Sequence, residues 1–128
     1  MPRSAVVTRA PLQRMVMLMQ AQRTLSEIKA VEATRRQHAV EDLKPCLRAY
    51  ARAHNGRYYL FGSAARQEMR AHSDVDIMVD FAEDDEADAW CFAEEACAAR
   101  GLVPDIMRRS WSKQSFIAHI MTEAEEIA

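Results

Sequence analysis

The hydrophobic pattern of this chain first changes period at Asn55-Gly56, and that change constrains the fold more than any other feature. Before it, apolar residues recur at helical spacing: Leu12, Met15, Val16 and Met19 mark one face, and Leu43, Leu47 and Tyr50 another. After it, Arg57-Tyr58-Tyr59-Leu60-Phe61 is rich in strand formers. Val75, Ile77, Val79 and Phe81 then alternate with Asp76, Met78 and Asp80, which is the period of a strand. A chain that opens helical and goes on to strands is neither a coiled-coil array nor a collagen.

The spacing predicts one helix over about 11–36 and a second over about 42–54, with Asp42 as N-cap and Pro45 in its first turn. Asn55-Gly56 ends the second helix, because both residues tolerate the left-handed conformation. A short helix is expected over about 64–70, and a longer one over about 84–100 closed by Gly101. Residues 102–107 read as a third strand, where Pro104 marks an edge or a bulge. Phe116, Ile117, Ile120, Met121 and Ala124 give a final amphipathic helix. The predicted fold class is α/β (α+β), a small mixed β-sheet with flanking helices.

At 128 residues the chain is the size of one domain. No run approaches the roughly 18 consecutive apolar residues of a membrane span. The start is basic and lacks the apolar stretch of a secretory signal. Cys46, Cys91 and Cys97 form neither an even framework nor a CxxC pair, so they read as reduced thiols and the expected location is cytoplasmic. The net charge of −2 hides a division: residues 1–60 carry 11 Lys/Arg against 4 Asp/Glu, residues 61–128 carry 6 against 15. Such a polarised chain either neutralises itself or engages partners electrostatically.

Three features converge on chemistry. Phe61-Gly62-Ser63 takes a strand through a glycine into a helix start, where unsatisfied N–H groups and a serine hydroxyl suit a phosphate, although an ordinary turn has the same composition. In Ser73-Asp74-Val75-Asp76 the two aspartates point to one face, about 6.5–7 Å apart. The pair reads either as the solvent face of a strand or as ligands of a hard cation such as Mg²⁺, and the depletion of Asp in strands favours ligands. Asp105, on the third strand, is expected beside them, where a carboxylate binds a second metal or accepts the proton of an attacking hydroxyl. The histidines at 38, 54, 72 and 119 have no ligand spacing, so zinc is not expected.

Leu60-Phe61-Gly62-Ser63-Ala64-Ala65-Arg66 followed by Ser73-Asp74-Val75-Asp76-Ile77-Met78-Val79 resembles the minimal nucleotidyltransferase family of the DNA polymerase β superfamily, with its GS motif, its AR pair and its SDxDxxV strand. The resemblance covers roughly residues 40–128. One position departs from the pattern: Gln67 stands where the family usually has glycine. The resemblance implies a polymerase-β-like nucleotidyltransferase domain over 39–128 behind an N-terminal helical extension over 1–38. It implies transfer of AMP from ATP to a hydroxyl with two Mg²⁺ ions. Gly62, Ser63, Arg66 and Ser73 are then the nucleotide-binding positions, and Asp74, Asp76 and Asp105 the catalytic and metal-binding ones.

Stand-alone minimal members look like antitoxins that adenylylate a tyrosine of a HEPN-family RNase toxin encoded nearby, and the same is expected of this chain. Two alternatives stay open. Gln67 and Pro104 suit a catalytically inactive module that neutralises a partner by contact. The acids of 83–95 suit an aminoglycoside-type acceptor, or else the start of a solvated helix. Leu12, Met15, Met17, Leu18 and Met19 form an adaptable apolar surface for a homo-oligomer or a hetero-complex, or for ordinary packing. Arg9, Arg14, Arg23, Arg35 and Arg36 lack interleaved aromatics, so sequence-specific DNA binding is not predicted.

Overall fold

The structure is a computed structural model that describes residues 2–128, with side chains described at 13–15, 17 and 24–128. The chain opens with one helix, α1 (Pro2–Ala53). It continues through β1 (Arg57–Phe61), α2 (Gly62–Ala65), β2 (Val75–Asp80), α3 (Glu83–Ala99) and β3 (Pro104–Arg108). A 3-10 turn at Arg109–Trp111 leads to α4 (Gln114–Met121) and β4 (Glu125–Ile127). The strands form one sheet in the order β3-β2-β1-β4, mixed as expected. β1 runs antiparallel to β2 and to β4, whereas β2 and β3 are parallel, and α3 supplies the crossover that a parallel pair requires.

The core lies between the sheet and the pair α1 and α3. From α1 come Val40, Leu43, Leu47 and Ala51; from the sheet come Tyr58, Leu60, Val75, Ile77 and Val79; from α3 come Ala89, Ala93 and Cys97, all fully buried. Alanines on the inner face of α3 bring its backbone close enough for the Tyr58 hydroxyl to donate to the Ala89 carbonyl at 2.7 Å. Tyr50 stacks on Phe92 at 4.1 Å, joining the two helices. The opposite face of the sheet holds a smaller cluster of Tyr59, Met78 and Ile117. Met78 is therefore buried although it alternates with the core residues: β2 is covered on both faces.

The boundary between two N-terminal helices is corrected. α1 is continuous across 36–42 and through Pro45, so Asp42 is not an N-cap, and Pro11, expected at a helix start, lies inside. No glycine interrupts this stretch, and Glu32 locks the following turn by accepting from Arg35 at 2.7 Å and from Arg36 at 3.0 Å. A mid-helix proline forfeits one backbone hydrogen bond, at a cost of about 3 kcal/mol. Burial of Leu43 and Leu47 on either side of Pro45 offsets that cost, since each buried leucine side chain contributes about 1.5–3 kcal/mol. The expected stop holds: Asn55 adopts φ 55. A β-carbon on Gly56 would enter the Phe81 ring. Residues 83–95 begin α3, with Glu83, Asp84, Asp85 and Glu86 in its first turn.

Two further differences concern the ends. The helix after β1 is one turn long rather than reaching residue 70, and β4, three residues at the C-terminus, is added to the free edge of β1. Pro104 opens β3, an edge strand, where the missing N–H breaks no ladder. Cys46, Cys91 and Cys97 are free thiols. No helix among the described residues is long and apolar enough to cross a membrane.

Candidate active site

The residues singled out in the sequence gather at one end of the sheet. β1 ends there, and β2 and β3 begin there. Asp76 pairs in register with Phe61 on one side and with Asp105 on the other. Adjacent strands lie about 4.8 Å apart, so the two carboxylates are direct cross-strand neighbours. Asp74 stands one residue before β2, two before Asp76, and is exposed, as is Asp105. Asp76 is the partly buried member.

Gly62 shows why a glycine ends β1. Its φ is +64°, and a β-carbon there would collide with the Asp76 carboxylate. The turn and the central acid are thus in contact through the bare backbone, an approach only glycine allows. Ser63 follows in the first turn of α2, its hydroxyl 3.5 Å from the Met69 sulfur. α2 spans four residues, so the electrostatic benefit expected of a helix start is confined to the unsatisfied backbone N–H groups of one turn.

The loop from α2 to β2 is held at several points. Gln67 adopts φ 58, the left-handed conformation that a glycine would take without strain. The Arg70 N–H donates to the Ser73 hydroxyl at 2.9 Å, and the Ser73 N–H donates back to the Arg70 carbonyl at 3.2 Å. Ser73 thereby closes the turn that delivers Asp74. Arg66 donates to both oxygens of Glu123 at 3.2 Å and to Glu68 at 3.1 Å, so its charge is shared with surface carboxylates.

Burial, and then the negative charges of Asp105 and Asp74, push the Asp76 carboxyl up to about 6, while Arg66 works against the shift. A partly buried carboxyl that resists losing its proton beside two further carboxylates marks a place that favours positive charge. The donor set fits a hard divalent ion: oxygen atoms only, with like charges on neighbouring strands. Among the described residues, no three acidic, histidine or cysteine side chains surround a single point. Closing around an ion therefore takes rotation of Asp74 and Asp105, both at the surface.

Two residues that matter to this geometry were grouped in the sequence only as candidate nucleic-acid contacts. Arg36 donates to the Ser73 carbonyl at 2.7 Å, pinning the entrance to β2. Arg35 donates to the Arg100 and Gly101 carbonyls, each at 2.9 Å, pinning the turn before β3. Sequence offers no signal for such long-range donors beyond their presence on a helix. Arg9, Arg23, Leu12, Leu18 and Met19 lie outside the residues whose side chains are described. Glu83, Asp84, Asp85 and Glu86 begin α3 past the far end of β2, away from Asp74 and Asp76, whereas Glu94 and Glu95 lie in the last two turns, where α3 returns toward the start of β3.

The family model described as Polymerase beta, Nucleotidyltransferase matches residues 41–128. Comparison with curated proteins and with solved structures finds no match.

Proposed function

Because this chain belongs to the polymerase β nucleotidyltransferase family, we propose that it moves AMP from ATP onto a hydroxyl of a partner protein. The observation that carries the proposal is the register of β2 and β3, which sets Asp76 beside Asp105 over the bare Gly62 backbone. Gly62 and Ser63 hold the triphosphate, and Arg66 faces its negative charge from the Asp76 side. Asp74, Asp76 and Asp105 would hold two Mg²⁺ ions, which would supply positive charge where negative charge develops on the transferring phosphoryl group.

The transfer balances as an in-line displacement. The acceptor oxygen forms a bond to the α-phosphorus, the bond from that phosphorus to the bridging oxygen breaks, and pyrophosphate leaves. The acceptor proton passes to Asp105, which lies at the surface where an acceptor can reach it. The acceptor we favour is a tyrosine of a HEPN-family toxin encoded nearby, with this protein as its cytoplasmic antitoxin. Support for that finer reading is the resemblance of the GS, AR and SDxDxxV motifs to stand-alone members of the family.

Incubation with labelled ATP, Mg²⁺ and the neighbouring gene product tests it. Label on the neighbour is expected with wild type and not with Asp74→Asn/Asp76→Asn; no label with either sinks the reading. A binding module without catalysis is tested separately. Mg²⁺ and ATP at about a hundredfold excess over the dissociation constant should stabilise a genuine site by about 2–3 kcal/mol. No thermal shift with both present would favour the contact-only alternative.

A further inference from the structure

The end of the sheet that carries the three acids is also the end past which α1 projects. Arg36 and Arg35 tie α1 to the entrances of β2 and β3. Just beyond, toward its N-terminus, α1 leaves the domain. Every residue from 24 to 31 is exposed, including Leu25, Ile28 and Val31. The acids face away from α1, but both stand at the same end of the sheet, so a protein resting on this overhang sits at the mouth of the acid site.

In the angle between the overhang and the loop 70–73 lies a cleft of about 520 Å³. Ala30, Ala33 and Ala71 make an apolar floor, and Lys29, Arg70 and His72 stand round it. Ser73, at its end, is the residue before Asp74. The turn 70–73 is fixed by its own hydrogen bonds and by Arg36, so the cleft is built on held backbone. Arg35, Arg36 and Arg66 are committed to carboxylates or carbonyls, whereas among the described residues Lys29 and Arg70 form no ion pair. No acid lines the cleft. Unspent positive charge above a floor of small side chains suits a ligand that is acidic with an apolar or aromatic side chain. A nucleic acid suits it less, because no Phe, Tyr or Trp lines the cleft to stack successive bases.

We propose that this cleft, extended by Leu25, Ile28 and Val31, seats the acceptor protein through an acidic segment and so presents its hydroxyl to Asp105. The inference rests on the transferase reading for its purpose, but its test is a binding measurement that needs no turnover.

The probe is a fluorescently labelled random copolymer of glutamate and tyrosine, with a labelled oligoribonucleotide as the competing class. Wild type is expected to bind the copolymer, and Lys29→Glu/Arg70→Glu to bind it about tenfold more weakly through loss and reversal of two contacts. Ala33→Leu, which fills the floor without touching charge, is expected to weaken it too, and keeps the test open should the double reversal fail to fold. Arg52→Glu, exposed in the last turn of α1 and about 34 Å along the helix from Lys29, serves as the distant control. The proposal is overturned if wild type does not bind the copolymer, if both cleft variants bind it as wild type does, or if the oligoribonucleotide binds more tightly. Weakened binding in the cleft variants supports the seat even where no label passes from ATP; absent transfer with intact, cleft-dependent binding counts against the transferase reading alone.

Discussion

At the scale of single residues, the site is arranged at some expense to the fold. The Asp76 carboxyl sits at about 6, above its ordinary value of 3.8, because burial and two neighbouring carboxylates oppose its charge. Between those two values the folded protein holds more protons than the unfolded chain. Stability therefore falls as pH rises through that window and stays lower above it. Without Mg²⁺, Asp76→Asn is expected to stabilise the protein at pH 7.5 by about 1–2 kcal/mol, less than the full shift implies because the side chain is partly solvated. A higher melting temperature for the variant at pH 7.5, and little difference at pH 3.5, checks this. The same variant is expected to lose transferase activity by about a thousandfold, the scale on which a single group stabilising transition-state charge acts. Gln67 is a second strained residue. Left-handed backbone costs a non-glycine residue about 1–2 kcal/mol, partly offset by the looser unfolded chain that glycine brings. Gln67→Gly should thus raise stability by about 0.5 kcal/mol in denaturant melts; a clear loss would show that the Gln67 side chain has contacts that hold the loop.

At the scale of elements, α1 does two jobs, filling the core from Ala39 onward and clamping the strand entrances from Arg35 and Arg36. Arg36→Met keeps the stem and removes the donor to Ser73. Hydrogen bonds from charged groups are worth about 1.5–3 kcal/mol, so a stability loss near the lower figure is expected for this half-buried contact. It should be accompanied by a higher KM for ATP, because the turn before Asp74 loosens. An unchanged KM would separate the clamp from the site. Pro45 offers the complementary test of a continuous helix. Pro45→Ala restores the N–H that α1 lacks there and is expected to add about 2 kcal/mol, the interior penalty of proline less its benefit in the unfolded chain. If residue 45 instead lay in a first helical turn, the change would be close to neutral.

At the scale of the whole molecule, the division of charge becomes a division of place. The basic N-terminal half is α1 with its overhang and most of β1, while the acidic half supplies the other three strands and α3. They meet at Lys44, nearly buried, whose ammonium lies 3.0 Å from Glu41 and 2.8 Å from Glu125 on β4. At 1.5 Å per residue, the 52 residues of α1 span about 78 Å. Because burial in α1 begins at Ala39 among the described residues, a chain starting at residue 32 should keep its melting temperature within about 5 °C, a change of roughly 1 kcal/mol. A collapse of the fold on that truncation would show that the overhang is structural.

The change of period at Asn55-Gly56, the alternation of 75–81 and the edge position of Pro104 are local steric facts, and by themselves they place three strands, their order along the chain and the acids on them. The Gly-Ser turn and the SDVD strand are legible for the same reason: their chemistry lies in a few consecutive residues. The span of α1 across 36–42 is not, because helix propensity there is neutral and burial on both sides of Pro45 decides the outcome. β4 is hidden because three residues carry no period of their own and become a strand only when the free edge of β1 offers hydrogen bonds. Nor does any local pattern say that Arg35 and Arg36 reach carbonyls more than thirty residues away, or that Asp105 falls in register with Asp76. Local sequence sets which conformations the backbone and side chains favour; which distant groups meet depends on how the packed faces of α1, α3 and the sheet align, and only the tertiary structure decided that.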